Sequence, residues 1–168
     1  MPTFTQIGSA VVVGSGGAAT IDFNSIPSTF TDLVLKYSIR QSNASAFSTL
    51  QITLNGSTST FTGRYLEGNG ATASSATTPA RFIGYLNAST STADTFSNSE
   101  IYFPNYAGST NKSFSVDYAG ENNATTSYMG LLGNLWSTTS AITSISLVPS
   151  TGTILQHSTA YLYGVSNA

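Results

Sequence analysis

Residues 33–40, which read LVLKYSIR, follow a period of two. The odd positions are apolar, and both charged residues fall on even positions. Successive side chains of a β-strand point to opposite faces, so this period of two predicts a half-buried strand. The same spacing returns at Leu50, Ile52 and Leu54, and we find no convincing 3.6-residue periodicity of an amphipathic helix. The chain is therefore predicted to be all-β.

Strand candidates recur about every 10–20 residues and are separated by links rich in Gly, Asn and Ser. Eight or more strands with several long connections favour an antiparallel β-sandwich, jelly-roll-like in topology, over a simple meander. The predicted strands are residues 18–23, 33–40, 50–54, 60–66, 81–86, 96–103, 113–118, 127–132, 142–148 and 159–165.

Turn chemistry suggests how some of these strands connect. Asn55-Gly56 lies between two alternating runs and predicts a hairpin that joins 50–54 to 60–66, since both residues accept a positive φ. Residues 71–80 are rich in Ala, Ser and Thr and are predicted to form a flexible loop. Residues 130–140 are compatible with a short helical turn.

The length suits one domain with its own core, which we place at residues 18–168. Residues 1–17 are predicted to form a short N-terminal arm. This arm ends in the run Gly14-Ser15-Gly16-Gly17, a composition typical of a flexible hinge.

Charged residues make up only 7% of the chain, against the roughly 25% that is usual in soluble domains. Ser and Thr take their place and account for 52 of the 168 residues. Five scattered basic residues and a net charge of -2 form no basic patch, which argues against a nucleic-acid partner. The apolar runs are far shorter than the ~20 residues of a membrane span, and the first residues do not resemble a secretory signal, so no membrane partner is expected.

The sequence offers little catalytic chemistry. His157 is the only histidine, and no Gly-x-Ser-x-Gly nucleophile motif accompanies it. Glu100 and Asp117 could face each other across neighbouring strands, as a glycosidase pair requires, and Asp117 with Glu121 offers oxygen ligands for calcium. Solvated surface positions explain these carboxylates more simply. We predict that the protein is not an enzyme and has no cofactor and no metal site.

The last predicted strand has two partly apolar faces. Tyr161 and Tyr163 alternate with Ala160 and Leu162. If the small aliphatic face lies inside, the tyrosines and Val165 lie outside, where tyrosine is common in interfaces; the reverse orientation would place the tyrosines in the core. With the apolar residues of the arm, the candidate interface residues are Phe4, Val11, Val12, Val13, Tyr161, Tyr163 and Val165.

Two stretches carry a family resemblance. One is residues 26–35 (IPSTFTDLVL), and the other begins at residue 95 and contains FSNSEIYFPNY, ENNA, AITSI and TAYLYGV. These segments resemble a family of small virion structural proteins from tailed bacteriophages, including cyanophages. The resemblance covers about half of the chain. Its motifs are structural, so it implies no catalytic residues.

The resemblance implies a capsid decoration (cement) protein that binds the major capsid protein as a homotrimer. Such a protein is assembled in the host cytoplasm and lies on the capsid surface of the virion. The alternative is a head-fibre or tail-fibre domain that binds host-surface carbohydrate, but the sequence shows no fibre shaft. The predicted contacts are the arm, the terminal strand and the 71–80 loop. With so few charges, docking should depend weakly on salt.

Overall fold

The computed structural model describes residues 1–78, 81–123 and 126–166. These residues form thirteen β-strands and no helix, which confirms the all-β prediction. In particular, the described ranges hold no helix that is long and apolar enough to cross a membrane. The strands are β1 (Thr3–Gln6), β2 (Val11–Val12), β3 (Ile21–Phe23), β4 (Asp32–Ile39), β5 (Phe47–Leu54), β6 (Phe61–Gly68), β7 (Ala73–Thr77), β8 (Phe82–Asn87), β9 (Ser97–Phe103), β10 (Lys112–Ala119), β11 (Met129–Trp136), β12 (Ile145–Pro149) and β13 (Thr159–Ser166).

The strands form a sandwich of two antiparallel sheets. The large sheet has the order β1-β13-β4-β9-β10-β11-β6-β7, with β2 also paired to β13, and the small sheet has the order β3-β12-β5-β8. Four nested pairs define the topology: β3 with β12, β4 with β9, β5 with β8, and β6 with β7. This nesting is the strand pairing of a jelly roll, which confirms the predicted fold class.

The large sheet owes its width to additions around this jelly roll. The hairpin β10–β11 lies between β9 and β6, and β13 continues the sheet beyond β4. The large sheet therefore has nine strands and the small sheet has four. One face of the large sheet packs towards the small sheet, and we call the opposite face the outer face.

The core lies between the two sheets and follows the alternation of the sequence. Leu33, Leu35 and Ile39 of β4 are fully buried, and they belong to one hydrophobic cluster with Leu50 and Ile52 of β5. Burial of each such side chain stabilises the fold by roughly 1.5–3 kcal/mol. The even positions of β4 consequently lie on the outer face. Through the strand registers, they determine which residues of the paired strands β13 and β9 also point to the outer face.

The predicted hairpin at Asn55-Gly56 is wrong in its partner strand. The turn itself is present, because Asn55 and Gly56 have φ of +52° and +72° and Leu54 bridges to Ser57. The chain then leaves the small sheet, however, and β6 pairs with β11 and β7 in the large sheet. Asn55 anchors this crossing, since its Oδ1 accepts the N–H of Thr143 at 2.8 Å.

Two other local predictions are also corrected. Residues 73–77, predicted to belong to a flexible loop, form β7 and pair along their length with β6. Residues 79–80 of that loop lie outside the described residues. Residues 130–140, which were compatible with a short helical turn, contain no helix, because most of them belong to strand β11 (Met129–Trp136) between β10 and β6. Cross-strand pairing overrides weak local preferences in both segments.

The predicted N-terminal arm, residues 1–17, is joined to the large sheet. Both β1 and β2 pair with β13, and Val13 is buried in the core. The N–H of Gly17 donates to the carbonyl of Gly14 at 3.0 Å, so the glycine run closes a turn. Removal of residues 1–17 would uncover β13 and part of the core. Such a truncation would therefore alter stability together with any binding.

Buried tyrosines predict a fall in stability at alkaline pH. Burial raises the pKa of Tyr37, Tyr106 and Tyr118 above the ordinary value of 10.0. A raised folded pKa gives a contribution to stability that is complete below about pH 10 and is lost as the pH rises further. Burial lowers the pKa of Lys112, so its contribution makes the stability rise with pH up to about 10.5, the ordinary pKa of lysine. This one lysine offsets only part of the effect of three tyrosines.

Denaturant titrations between about pH 8 and pH 11.5 test this expectation. We expect the free energy of unfolding to fall above pH 10 by up to about 1.4 kcal/mol per pH unit for each tyrosine. Tyr37→Phe removes one of the three phenols and should flatten the alkaline slope by about a third. A stability that stays constant to pH 11.5 would contradict the buried, protonated state of these phenols.

Candidate docking face

The outer face of the large sheet carries the candidate site. The alternation of each strand sends every second side chain to this face, and the registers align these side chains in rows across the sheet. Two such rows matter here: the first has an aromatic side chain at one end, and the second has charged side chains at its centre. They are Tyr163–Val34–Tyr102–Ser115–Gly133–Arg64 and Tyr161–Lys36–Glu100–Asp117–Leu131–Leu66.

The charges at the centre of the face are engaged with one another. Lys36 Nζ lies 2.7 Å from Glu100 Oε2, the one salt bridge found among the described residues. The hydrogen bond and the charge of Glu100 raise the pKa of Lys36. On the next strand, Asp117 Oδ1 accepts the backbone N–H of Glu100 at 2.9 Å. The register confirms that Glu100 and Asp117 are opposite each other, but both carboxylates hold structural partners.

An apolar group lies beside this charged centre. Leu66, Met129 and Leu131 are 58%, 66% and 60% exposed, respectively. They occupy the neighbouring strands β11 and β6, where Leu131 is directly opposite Leu66. With the charged centre they line a groove of about 910 Å³. Singly exposed apolar residues are ordinary, but a contiguous group beside a groove is typical of a binding surface.

A carboxylate holds one aromatic side chain of the face in place. Tyr102 donates its hydroxyl to Asp32 Oδ2 at 2.9 Å, and Asp32 Oδ1 accepts the N–H of Asn105 at 2.8 Å. The hydrogen bond to Asp32 raises the pKa of Tyr102. Tyr102 borders a second groove of about 630 Å³, which Arg64 and Gly133 also line. A planar ring is therefore fixed beside an open groove of mixed polar and apolar lining.

The interface residues expected from the sequence divide into two groups. Tyr161 and Tyr163 are half-exposed while Ala160 and Leu162 are fully buried, so the structure selects the orientation with the tyrosines outside. Phe4 and Val12 are largely exposed on the same face, opposite Val165 and Thr159 of β13. Val11 is partly exposed, like the two tyrosines, whereas Val13 and Val165 are buried and offer little surface.

Val13 and Val165 are corrections to the predicted interface. Val13 belongs to the hydrophobic core, and its carbonyl accepts the N–H of His157 at 3.0 Å. Val165 keeps the expected side of β13 but is covered, since it lies between Phe4 of β1 and Asp32 of β4. Both residues therefore stabilise the fold and are not available for contact with a partner.

The apolar group Leu66, Met129 and Leu131 was not predicted from the sequence. A signal was present, because β11 reads MGLLGNLW and carries apolar residues on both of its faces. A strand with one wet face should carry polar residues there. The adjacent pair Leu131-Leu132 thus indicated that the outward face of this strand was apolar as well.

His157 lies away from the outer face. It occupies the turn before β13 with φ of +70°. With Arg40 and Asp94 it lines a separate cleft of about 420 Å³. Within the described residues, no group of three His, Cys, Asp or Glu side chains could hold a metal ion. Comparisons of the chain with protein-family models, curated proteins and solved structures gave no match.

Proposed function

We propose that this protein is a non-enzymatic structural subunit of a phage virion, a decoration protein that binds the major capsid protein through the outer face. The observation that carries the proposal is the exposed apolar group Leu66, Met129 and Leu131 beside a groove of about 910 Å³. The phage-like segments noted in the sequence supply the virion context. In this proposal the subunit is assembled in the host cytoplasm and acts on the capsid surface as a homotrimer.

The physical character of the face suits permanent protein contact. Interfaces concentrate their binding energy in a few large apolar or aromatic residues surrounded by a polar rim. Here the apolar group supplies such a centre, and hydroxyl-rich strands surround it. Because Lys36, Glu100 and Asp117 already have partners, few charges must be stripped of water without compensation when the face is covered.

Leu131→Asp tests the proposed contact. It places a charge at the centre of the apolar group, and we expect binding to shells assembled from the cognate major capsid protein to weaken at least about tenfold. Thr53→Asp is the control, because it adds the same charge to β5 of the small sheet, where Thr53 alternates with the buried Ile52 and Leu54 and so points away from the large sheet. Co-sedimentation measures occupancy. Equal occupancy for Leu131→Asp and the native protein would contradict the proposal.

The salt dependence of docking provides a second check. A contact dominated by apolar and hydroxyl-rich surface should lose little affinity between about 50 and 500 mM salt, because screening acts mainly on exposed charges. The same co-sedimentation series measures it. A steep fall in occupancy over this range would show that charges hold the subunit to the shell, against the proposal.

Carbohydrate binding is the second candidate, and the fixed ring of Tyr102 favours it. Aromatic rings stack on sugar faces, and Tyr102 is held by Asp32 beside an open groove. A glycan array on the purified protein tests this function. Under it, Tyr102→Ala abolishes glycan binding while Tyr102→Phe and Leu131→Asp retain it. An array without any bound glycan would exclude it in favour of the protein partner.

A further inference from the structure

The large sheet ends in two unprotected edge strands. β7 lies at one end of the strand order and pairs with β6, and β1 lies at the other end and pairs with β13. All five residues of β7 and all four of β1 are exposed. Each strand thus presents a row of backbone N–H and C=O groups on its far side, which is a template for another strand.

Neither edge strand contains a charged residue, a proline or a bulge, which are three of the features that normally discourage pairing. Natural edge strands are shielded by charged side chains, proline, bulges or covering loops. β7 reads ASSAT and β1 reads TFTQ, with no charge and no proline in either strand. Their pairings to β6 and β13 run in continuous register without a bulge.

The two edges complement each other in side-chain size. Ser75 of β7 lies opposite Leu66, so it is on the outer face and leaves space above the strand. Phe4 of β1 is also on the outer face and is 60% exposed. A Phe4 from a second copy, paired beside Ser75, would reach across this small side chain towards the exposed Leu66. The contact would cover Phe4 in part and would cover the side of Leu66 that faces β7.

We propose that the β7 edge of one copy pairs with the β1 edge of a second copy, so that the large sheet continues from subunit to subunit. The two edges belong to opposite ends of one sheet, so the contact is heterologous and joins copies head to tail into a ring or a chain. The proposal concerns contact between copies and is independent of the capsid assignment. It would stand if the outer face bound no capsid protein.

Two edge variants test the pairing in solution. Thr5→Lys adds a charge to β1 and leaves β7 intact, and Ser75→Lys does the reverse. Light scattering should show the native protein as an assembly of several copies and each variant alone as a monomer. An equimolar mixture of the two variants should give a species of two copies and no larger one, because only one pair of intact edges remains.

Other outcomes overturn the proposal. A monomeric native protein excludes it. Persistent dimers of Thr5→Lys alone would indicate β7–β7 pairing, and persistent dimers of Ser75→Lys alone would indicate β1–β1 pairing. Thermal unfolding of the variants checks their fold, which should be unaffected because both positions are exposed.

The absence of cysteine from the chain allows an independent check. Cysteines at opposite positions of paired strands fall within the Cα separation that a disulfide needs. If Phe4 lies opposite Ser75 in antiparallel pairing, Thr5 lies opposite Ser74 on the other face of the sheet. Thr5→Cys should therefore form oxidised heterodimers with Ser74→Cys and not with Ser75→Cys, whose side chain points to the opposite face. Cross-links that form only between identical variants would contradict the heterologous contact.

Discussion

Arg40→Met is expected to cost about 3 kcal/mol of folding stability and to lower the melting temperature by roughly 6–12 °C. Arg40 is buried, and its guanidinium holds the segment that connects β8 to β9. Nη1 donates to the carbonyls of Thr92 and Thr95 at 2.8 and 2.9 Å, and Nη2 donates to the carbonyl of Ser91 at 3.0 Å. Methionine fills similar space but removes these donors, although the carbonyl of Thr92 keeps the hydroxyl of Thr95 at 2.8 Å.

The expected loss of stability is large because a buried acceptor that loses its donor costs more than an intact hydrogen bond contributes. A buried acceptor without a partner costs about 1–3 kcal/mol. The buried residue Ser91 and the half-buried residue Thr95 both lose a guanidinium donor to their carbonyls, whereas Thr92 is exposed to water. Burial lowers the pKa of Arg40, but a guanidinium remains charged at neutral pH. The carbonyls therefore accept hydrogen bonds from a cation. Arg40→Lys should give an intermediate loss, because one ammonium reaches fewer of the acceptors.

Chemical denaturation of the variants measures this prediction. Arg64→Met is the matched control, because Arg64 is exposed and its Nη1 donates to the adjacent carbonyl of Gly63. We expect the control to change stability by less than about 0.5 kcal/mol. If Arg40→Met is as stable as Arg64→Met, the connection from β8 to β9 does not depend on the guanidinium.

Gly84→Ala is expected to destabilise the fold by about 3 kcal/mol, because strain of about 1–3 kcal/mol adds to overpacking of about 1–3 kcal/mol. Gly84 has φ of +130°, where residues with a side chain are strained. It lies at a bulge of β8, where the register shifts against Leu50 and Gln51. An added Cβ would also lie 2.8 Å from Cγ of Tyr118.

The two causes can be separated by a double variant. In a Tyr118→Ala background the two closest contacts, with Cγ and Cδ1, disappear, and the backbone strain and the 3.1 Å contact with Cβ remain, so Gly84→Ala should cost less there than in the native chain. Gly133→Ala is the control, since its Cβ would meet no atom within 4 Å. Equal costs in both backgrounds would show that Tyr118 does not constrain this position.

The strands could be predicted from the sequence because their signal is local. All ten predicted strands are present, and the inward and outward residues of β4 follow the alternation of residues 33–40. The pairing of strands is not local. Asn55-Gly56 specifies a tight turn, yet whether the next strand stays in the same sheet depends on which distant strand offers an apolar face. β7 lacks any apolar alternation and exists through its ladder with β6.

The candidate site was predictable to the same limited extent. Tyr161 and Tyr163 could be assigned to one face of a strand from their spacing, and the structure places that face outside. Leu66 and Leu131 are 65 positions apart in the chain. They form one apolar group only because β11 and β6 are neighbours in the sheet. Spacing along the chain carries no information about such a neighbour.

A cryo-electron-microscopy reconstruction of the virion tests the central proposal most directly. The account predicts density for the β-sandwich on the capsid surface, with the group Leu66, Met129 and Leu131 buried against the major capsid protein. It would be contradicted by a sandwich at the tip of a fibre with the outer face open to solvent, or by a capsid-bound sandwich that leaves this apolar group uncovered.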